Sequence, residues 1–183
     1  MKKVFMALAL GLASSSAFAA DGKGLISFTG QIKDGGTCPI IIAPIGSTLP
    51  GTVSLGRNFA PVDFPTRGRK SAPVNFALEI DDRATACDLS KSSTVSFVFN
   101  AKNGVAEGGS LFDIQKGDHA AENIAVAILD RDSNPVVSGT KTADYKISDT
   151  EKTFNFSAHL QSTDDAVKPG EIVSEIEIVA TII

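Results

Sequence analysis

The feature that most constrains the fold of this chain is a period-two alternation of apolar and polar side chains, which recurs along most of its length. Alternation of this kind places the apolar residues on one face of an extended strand, so each run predicts a half-buried strand. Helical periodicity is hard to find. The runs cover residues 26–32, 74–80, 95–99, 124–128, 154–160 and 176–182.

Clusters rich in glycine, proline and small polar residues separate the runs, for example at residues 46–51, 104–110, 130–135 and 168–170. Such clusters are typical of turns. Short strands joined by turns favour a single all-β sandwich over any α/β layering. The chain shows no internal repeat.

The amino terminus has the three-part pattern of a secretory signal peptide, which predicts export of the mature protein. Lys2 and Lys3 precede an apolar run at residues 4–12, and Ala17 and Ala19 provide the small residues of a cleavage site. Cleavage after Ala19 would leave 164 of the 183 residues, enough for one domain. No apolar run approaches the roughly 20 residues of a membrane-spanning helix.

Charge and cysteine content narrow the function classes further. Removing the two lysines of the signal leaves 15 basic against 21 acidic residues, which makes nucleic acid an unfavourable partner. Cys38 and Cys87 are the two cysteines of the chain, and export to an oxidising compartment predicts an intrachain disulfide between them. Closing this loop should stabilise the fold by about 4 kcal/mol.

The motifs that could carry chemistry all have simpler interpretations. Asp130, Asp132 and Asn134 resemble the start of a calcium loop, but Pro135 and Lys141 replace the required glycine and glutamate, so we interpret the segment as a turn.

The two histidines, His119 and His159, have no nucleophile motif beside them, which favours surface or strand-face roles over catalysis. The basic cluster Arg67, Arg69 and Lys70 is interpreted as a solvated loop tip, with an interface patch as the alternative. We therefore predict a protein that is not an enzyme and that uses no cofactor or metal.

Several segments together resemble the pilins of type 1 fimbriae, over nearly all of the mature chain. In the amino-terminal half, these are the alternating run from Gly24 to Ile32 ahead of Cys38 and the segment at residues 52–56. In the carboxy-terminal half, they are residues 123–131, the run from Phe154 to Leu160, and Lys168-Pro169-Gly170 followed by the alternating tail. The chain departs from the family in having Leu160 and the penultimate Ile182 at positions where a tyrosine is usual.

The resemblance implies an immunoglobulin-like β-sandwich that lacks its final strand and is completed by donor-strand exchange. A periplasmic chaperone would first lend a strand to the open groove, and at the outer-membrane usher the amino-terminal segment of the next subunit would replace it. The implied division is a signal peptide at residues 1–19, a donor segment at residues 20–33 and a pilin domain at residues 34–183. The finished fibre would stand on the cell surface and support adhesion.

The resemblance also assigns residues to this mechanism. The donor face would carry Ile26, Phe28, Gly30 and Ile32, with Gly30 permitting close approach of another backbone. One wall of the groove and the edge offered to the chaperone would involve Gly170, Ile176, Ile178, Ala180 and Ile182.

The main alternative is a binding module, namely a single-domain fimbrial adapter or lectin-like adhesin that recognises a host glycan. Aromatic side chains that stack on sugars are scarce, because the chain has no tryptophan and Tyr145 is its single tyrosine. A secreted β-sandwich enzyme is a third interpretation, which the lack of any catalytic constellation disfavours.

Overall fold

The computed structural model describes residues 22–32, 38–44, 51–83, 87, 89, 94–148 and 150–183. These residues form two β-sheets with two single-turn 3-10 helices, at Pro61–Asp63 and Glu107–Gly109. No helix within the described residues is long and apolar enough to cross a membrane. The predicted signal peptide at residues 1–19 lies outside the described residues.

The first sheet has five strands, and one pair of neighbours in it runs parallel. In spatial order the strands are β3 (Thr52–Phe59), β1 (Gly22–Ile32), β11 (Ile172–Ile182), β5 (Thr94–Ala101) and β9 (Tyr145–Lys146). The parallel pair is β1 with β11, whereas the other neighbouring strands pair antiparallel.

The second sheet has six strands, all paired antiparallel. In spatial order they are β2 (Ile40–Pro44), β4 (Val74–Ile80), β10 (Thr153–Ser162), β8 (Ile124–Leu129), β7 (Leu111–Asp113) and β6 (Val105–Ala106). All six alternating runs of the sequence lie within strands of these two sheets. The predicted all-β sandwich is therefore confirmed.

An aromatic cluster fills the centre of the core between the sheets. The ring of Phe156 on β10 lies 5.2 Å from the ring of Phe99 and 5.9 Å from that of Phe97, both on β5 of the other sheet. It also stacks on Phe76 of the neighbouring strand β4, with the ring centroids 5.8 Å apart. Burial of each such side chain contributes about 1.5–3 kcal/mol.

The sandwich matches the predicted immunoglobulin-like class, but the position expected to be open is filled. Without β1, the strands β3 and β11 would have no partner on their facing edges. The chain's own amino-terminal segment occupies this gap.

The predicted disulfide is present. Cys38 and Cys87 are bonded, with their Cα atoms 4.4 Å apart. Cys38 is buried and lies two residues before β2, so the bond fixes the start of the domain that follows β1. The backbone N–H of Asp81 donates to the carbonyl of Pro39 at 2.8 Å and closes the same region.

The segment at residues 130–135 forms the predicted turn. The carboxylate of Asp130 accepts hydrogen bonds from the backbone N–H groups of Asp132 (2.9 Å) and Asn134 (2.8 Å), and from the Asn134 amide (3.1 Å). An acidic side chain that accepts bonds from its own turn in this way stabilises the turn itself.

Candidate assembly groove

We call the gap between β3 and β11 the assembly groove, and β1 fills it along both edges. Against β11 the parallel register runs from Gly24 opposite Ile172 to Ile32 opposite Ala180. Against β3 the pairing is antiparallel and places Ile26 opposite Val53. The backbone N–H of Phe28 also donates a hydrogen bond of 2.7 Å to the carbonyl of Gly51.

The inward face of β1 carries Ile26 and Phe28, two of the four residues that the sequence assigned to the donor. Ile26 is 0% exposed and Phe28 is 6% exposed, and the ring of Phe28 lies 5.2 Å from that of Phe76 on the opposite sheet. The alternate residues Leu25 and Ser27 are only half-buried. Period-two alternation thus sorts this segment into a core face and an outer face, as its sequence predicts.

Gly24 makes a close contact in the groove that the sequence reasoning missed. A Cβ added at this glycine would lie 3.0 Å from Cβ of Leu55, 3.3 Å from Cε2 of Phe59 and 3.4 Å from Cδ1 of Leu160. The alternation of the sequence could have identified this contact, because Gly24 occupies the same alternating face as Gly30, for which the sequence predicts close approach of another backbone. For Gly30 the backbone lies opposite the buried residue Ile178. Its predicted steric role remains a prediction, as does that of the Ile32 side chain, whose surroundings lie outside the described part of the chain.

The carboxy-terminal strand forms one wall of the groove. Ile176, Ile178 and Ala180 are buried on its inner face, and Ile182 at its end is half-buried. On its other face, Glu177 pairs with Lys102 at 2.9 Å. Both edges of β11 are used, one by β1 and the other by β5. An unpaired strand edge can pair with other chains, and here the chain's own β1 covers the edge that the sequence assigned to a partner.

The second wall of the groove is β3, which contains the segment at residues 52–56 that resembles pilins. Val53 and Leu55 are buried on its inner face. Its Val-Ser-Leu alternation is the signal that could have identified it as a groove wall.

Gly170 lies in the turn before β11 rather than on the groove strand. A Cβ on Gly170 would lie 2.4 Å from the carbonyl carbon of Ala120 and 2.4 Å from the nitrogen of Ala121, both backbone atoms. Two backbone hydrogen bonds hold this turn against residues 121–122. The N–H of Ala121 donates to the carbonyl of Glu171 at 2.9 Å, and the N–H of Lys168 donates to the carbonyl of Glu122 at 3.1 Å. Gly170 therefore sets the starting position of β11, and so acts on the groove indirectly.

Two buried ionisable side chains lie away from the groove. Burial lowers the pKa of His159 on β10, and the positive charge of Lys70 lowers it further. Burial raises the pKa of Tyr145, and the Asp130 carboxylate adds to this effect. His159 Nε2 has no hydrogen-bond partner among the described residues, which fits a neutral imidazole.

The remaining candidate sites show no arrangement for chemistry. His119 is exposed, and Arg67 on the predicted loop tip pairs with Glu107 at 3.4 Å. The described residues contain no group of three or more His, Cys, Asp or Glu side chains that could hold a metal ion. The feature that the geometry does provide is the apolar assembly groove between β3 and β11, which β1 occupies.

Comparison with known proteins shows that this chain is similar to fimbrial proteins. A family model described as "Fimbrial protein" matches residues 26–182. The chain is 33% identical over 180 residues to the Fimbria A protein of Serratia marcescens, covering 95% of this chain and 94% of that one. It is 31% identical over 180 residues to the Type-1 fimbrial protein subunit of Serratia marcescens, covering 93% of each chain.

Among solved structures, the P pilus rod subunit PapA is similar to this chain with a TM-score of 0.58. The superposition covers 80% of this chain and 99% of PapA. At 14% sequence identity, this likeness concerns the fold alone.

Proposed function

Because the chain belongs to the fimbrial protein family and is a structural subunit of a fimbria, we propose that it polymerises by donor-strand exchange. The β1 segment of one subunit fills the assembly groove of the next. The observation that carries this proposal is the fit of β1 to the groove, where it pairs along both edges and buries Ile26 and Phe28. A groove that accepts this strand within one chain can accept the same strand from a second copy.

The energy of such a joint is sufficient for a stable fibre. Burial of two large side chains contributes about 3–6 kcal/mol. Each backbone hydrogen bond of the two ladders adds about 0.5–1.5 kcal/mol. The sum of these terms favours a tight joint that dissociates slowly.

The route to the surface follows from the same groove. A chain whose β1 is withdrawn exposes the inner faces of β3 and β11 and invites aggregation. We propose that a periplasmic chaperone covers the groove during export, and that an outer-membrane usher exchanges this cover for the β1 of the next subunit. The mature chain would then pass through the periplasm to a fimbria on the cell surface.

We propose that the role of this chain is to build the fibre, rather than to catalyse a reaction or bind a sugar. Tyr145, the single tyrosine, is 2% exposed and packs against Phe97 and Phe154, with ring centroids 5.9 and 5.5 Å away. It therefore offers no exposed ring for a glycan. This observation favours the structural role over the lectin-like alternative.

Deletion of residues 20–33 after an intact signal peptide tests the proposal. Cells that produce the chaperone, the usher and this variant should carry no fibres by electron microscopy, whereas the unaltered chain should form them. The matched control is Ser27→Ala, on the outer face of β1, which should assemble normally. Fibres of ordinary length from the deletion variant would refute donor-strand exchange.

A further inference from the structure

The turn that follows β5 contains the one asparagine of this chain that a glycine follows. Asn103 precedes Gly104, whereas each of the other six asparagines precedes a residue with a side chain. In an Asn-Gly pair, the backbone nitrogen of the glycine can attack the side-chain amide carbon of the asparagine, and no Cβ obstructs its approach. The sequence therefore places a chemically labile pair in this turn.

The turn leaves the attacking nitrogen and the leaving nitrogen of this pair without hydrogen bonds. Within the described residues, neither the backbone N–H of Gly104 nor the side-chain nitrogen of Asn103 has a partner. Asn103 is half-buried and Gly104 is exposed, so water reaches the pair. The side-chain nitrogen of Asn123, by contrast, donates to the carbonyl of Ala166 at 2.8 Å.

A backbone donor holds the side-chain oxygen of Asn103. The N–H of Glu175, on β11, donates to Asn103 Oδ1 at 2.7 Å. Attack on the amide carbon moves negative charge onto this oxygen. A fixed N–H group that points at the oxygen stabilises the charge as it develops.

The carboxylate of Asp113, on β7, provides a proton acceptor beside Gly104. A Cβ added at Gly104 would lie 2.9 Å from Asp113 Oδ2, so the carboxylate lies against this glycine. The backbone N–H of Asp113 donates to the carbonyl of Gly104 at 3.0 Å and holds the two residues together. A carboxylate positioned close to an attacking N–H group can accept its proton.

We propose that Asn103 is a site of spontaneous deamidation in the folded chain, promoted by the Asp113 carboxylate and the N–H of Glu175. The nitrogen of Gly104 loses its proton to Asp113 and forms a bond to the side-chain carbon of Asn103. The bond from that carbon to the amide nitrogen breaks, and the nitrogen takes up the proton and leaves as ammonia. Water then opens the resulting succinimide ring at either carbonyl, which gives aspartate or isoaspartate at position 103.

The reaction weakens the contact between this turn and β11, one wall of the assembly groove. The turn is attached to Glu175 by two hydrogen bonds, the one to Asn103 Oδ1 and a second from the N–H of Lys102 to the carbonyl of Glu175 at 3.0 Å. Aspartate at position 103 adds a negative charge near the Asp113 carboxylate, which repels it. Isoaspartate lengthens the backbone between Lys102 and Gly104 and displaces both bonds.

Incubation of the purified mature chain at neutral pH, followed by peptide mapping with mass spectrometry, tests the site. Asn103 should convert to a mixture of aspartate and isoaspartate at least tenfold faster than any of the other six asparagines. The control is Asn103→Gln, which keeps the amide but would have to close a larger ring, and its peptide should stay unchanged. Faster conversion at another asparagine would overturn the assignment.

The contribution of the fold is measured in the unaltered chain and in Asp113→Asn. The unaltered chain should convert at least as fast when folded as when unfolded in urea, and faster conversion in urea would overturn promotion by the fold. Asp113→Asn should slow conversion at least threefold in the folded chain alone. Asp118→Asn, which removes an exposed carboxylate outside this turn, should not slow it. Equal rates for the two folded variants would remove the role of Asp113.

The variant Asn103→Asp tests the consequence for stability. It carries the charge of the product without the longer backbone, and its urea midpoint should lie below that of the unaltered chain. The isoaspartate form, separated by chromatography, should have a lower midpoint still. Midpoints equal to or above that of the unaltered chain would overturn the weakening of the contact with β11.

Discussion

Gly170 shows how one residue can control a groove that it does not line. Its missing side chain lets the turn before β11 contact the backbone of Ala120 and Ala121. Because the obstructing atoms are backbone, a larger residue cannot be accommodated by rotation of a neighbouring side chain. The resemblance to pilins identified Gly170 as a candidate residue. The reason that a glycine is needed there could not be predicted, because the backbone it contacts, at Ala120, lies fifty residues away in the sequence.

We expect Gly170→Ala to lower the free energy of unfolding by about 1–3 kcal/mol, since it forces a backbone shift in a packed region. Urea unfolding of the purified mature chain would measure the change. Gly117→Ala is the control, because a Cβ there meets nothing within 4 Å and should leave the midpoint almost unchanged. Similar midpoints for both variants would contradict the close contact at Gly170.

His159 predicts a pH dependence of stability. Burial, followed by the charge of Lys70, lowers its pKa in the folded chain, so below about pH 6.5 the unfolded chain binds more protons. The free energy of unfolding should therefore fall as the pH drops below 6.5, by at most about 1.4 kcal/mol per pH unit from this group. His159→Gln should remove this component in urea unfolding series between pH 7 and pH 5.

The exposed His119 provides the comparison, as the second of the two histidines. His119→Gln should keep the pH dependence of the unaltered chain. If His119→Gln abolished the dependence and His159→Gln preserved it, the account of the buried imidazole would be wrong.

At the scale of elements, the alternating runs of the sequence predicted six of the eleven strands in the described residues, but not how the strands pair. Alternation of apolar and polar residues predicted six strands, because a strand with one buried face shows this pattern in its own sequence. These strands are β1, β4, β5, β8, β10 and β11. Alternation is the same in both directions along a strand, so it cannot distinguish parallel from antiparallel pairing or a strand's own chain from a neighbour's. The parallel pairing of β1 with β11 required the structure.

The donor strand itself predicts a defect in assembly. Gly30 lies on the same face of β1 as Ile26 and Phe28, opposite Ile178. Gly30→Leu should reduce fibre yield at least tenfold, because the new side chain would project into the groove, while the chaperone-bound subunit should still accumulate in the periplasm. Fibre yield and the amount of chaperone complex are the two measurements.

Ser27→Ala serves as the control for Gly30→Leu, because Ser27 lies on the outer face of the same strand. A fibre yield from Gly30→Leu equal to that of the unaltered chain would remove Gly30 from the donor face. Loss of the chaperone complex itself would instead place Gly30 in the core of its own subunit.

At the scale of the whole molecule, the disulfide anchors the domain at the point where β1 joins it. Replacement of both Cys38 and Cys87 by serine should lower the free energy of unfolding by about 4 kcal/mol. That is a large part of the 5–15 kcal/mol typical of a domain, so the variant should be scarce in the periplasm. Urea unfolding and periplasmic yield would measure the loss, and unchanged values would contradict a stabilising role for the bond.

The central claim is that β1 of one subunit lies beside β11 of another in the fibre. Fibres assembled from two versions of the chain test it most directly, one version with Leu25→Cys alone and the other with a single cysteine at Val173 or Val179. The account predicts disulfide-linked dimers in which one chain is of each version. These dimers should form with the cysteine at Val173, with the cysteine at Val179, or with both. Fibres that assemble normally but give no mixed dimer with either position would contradict it.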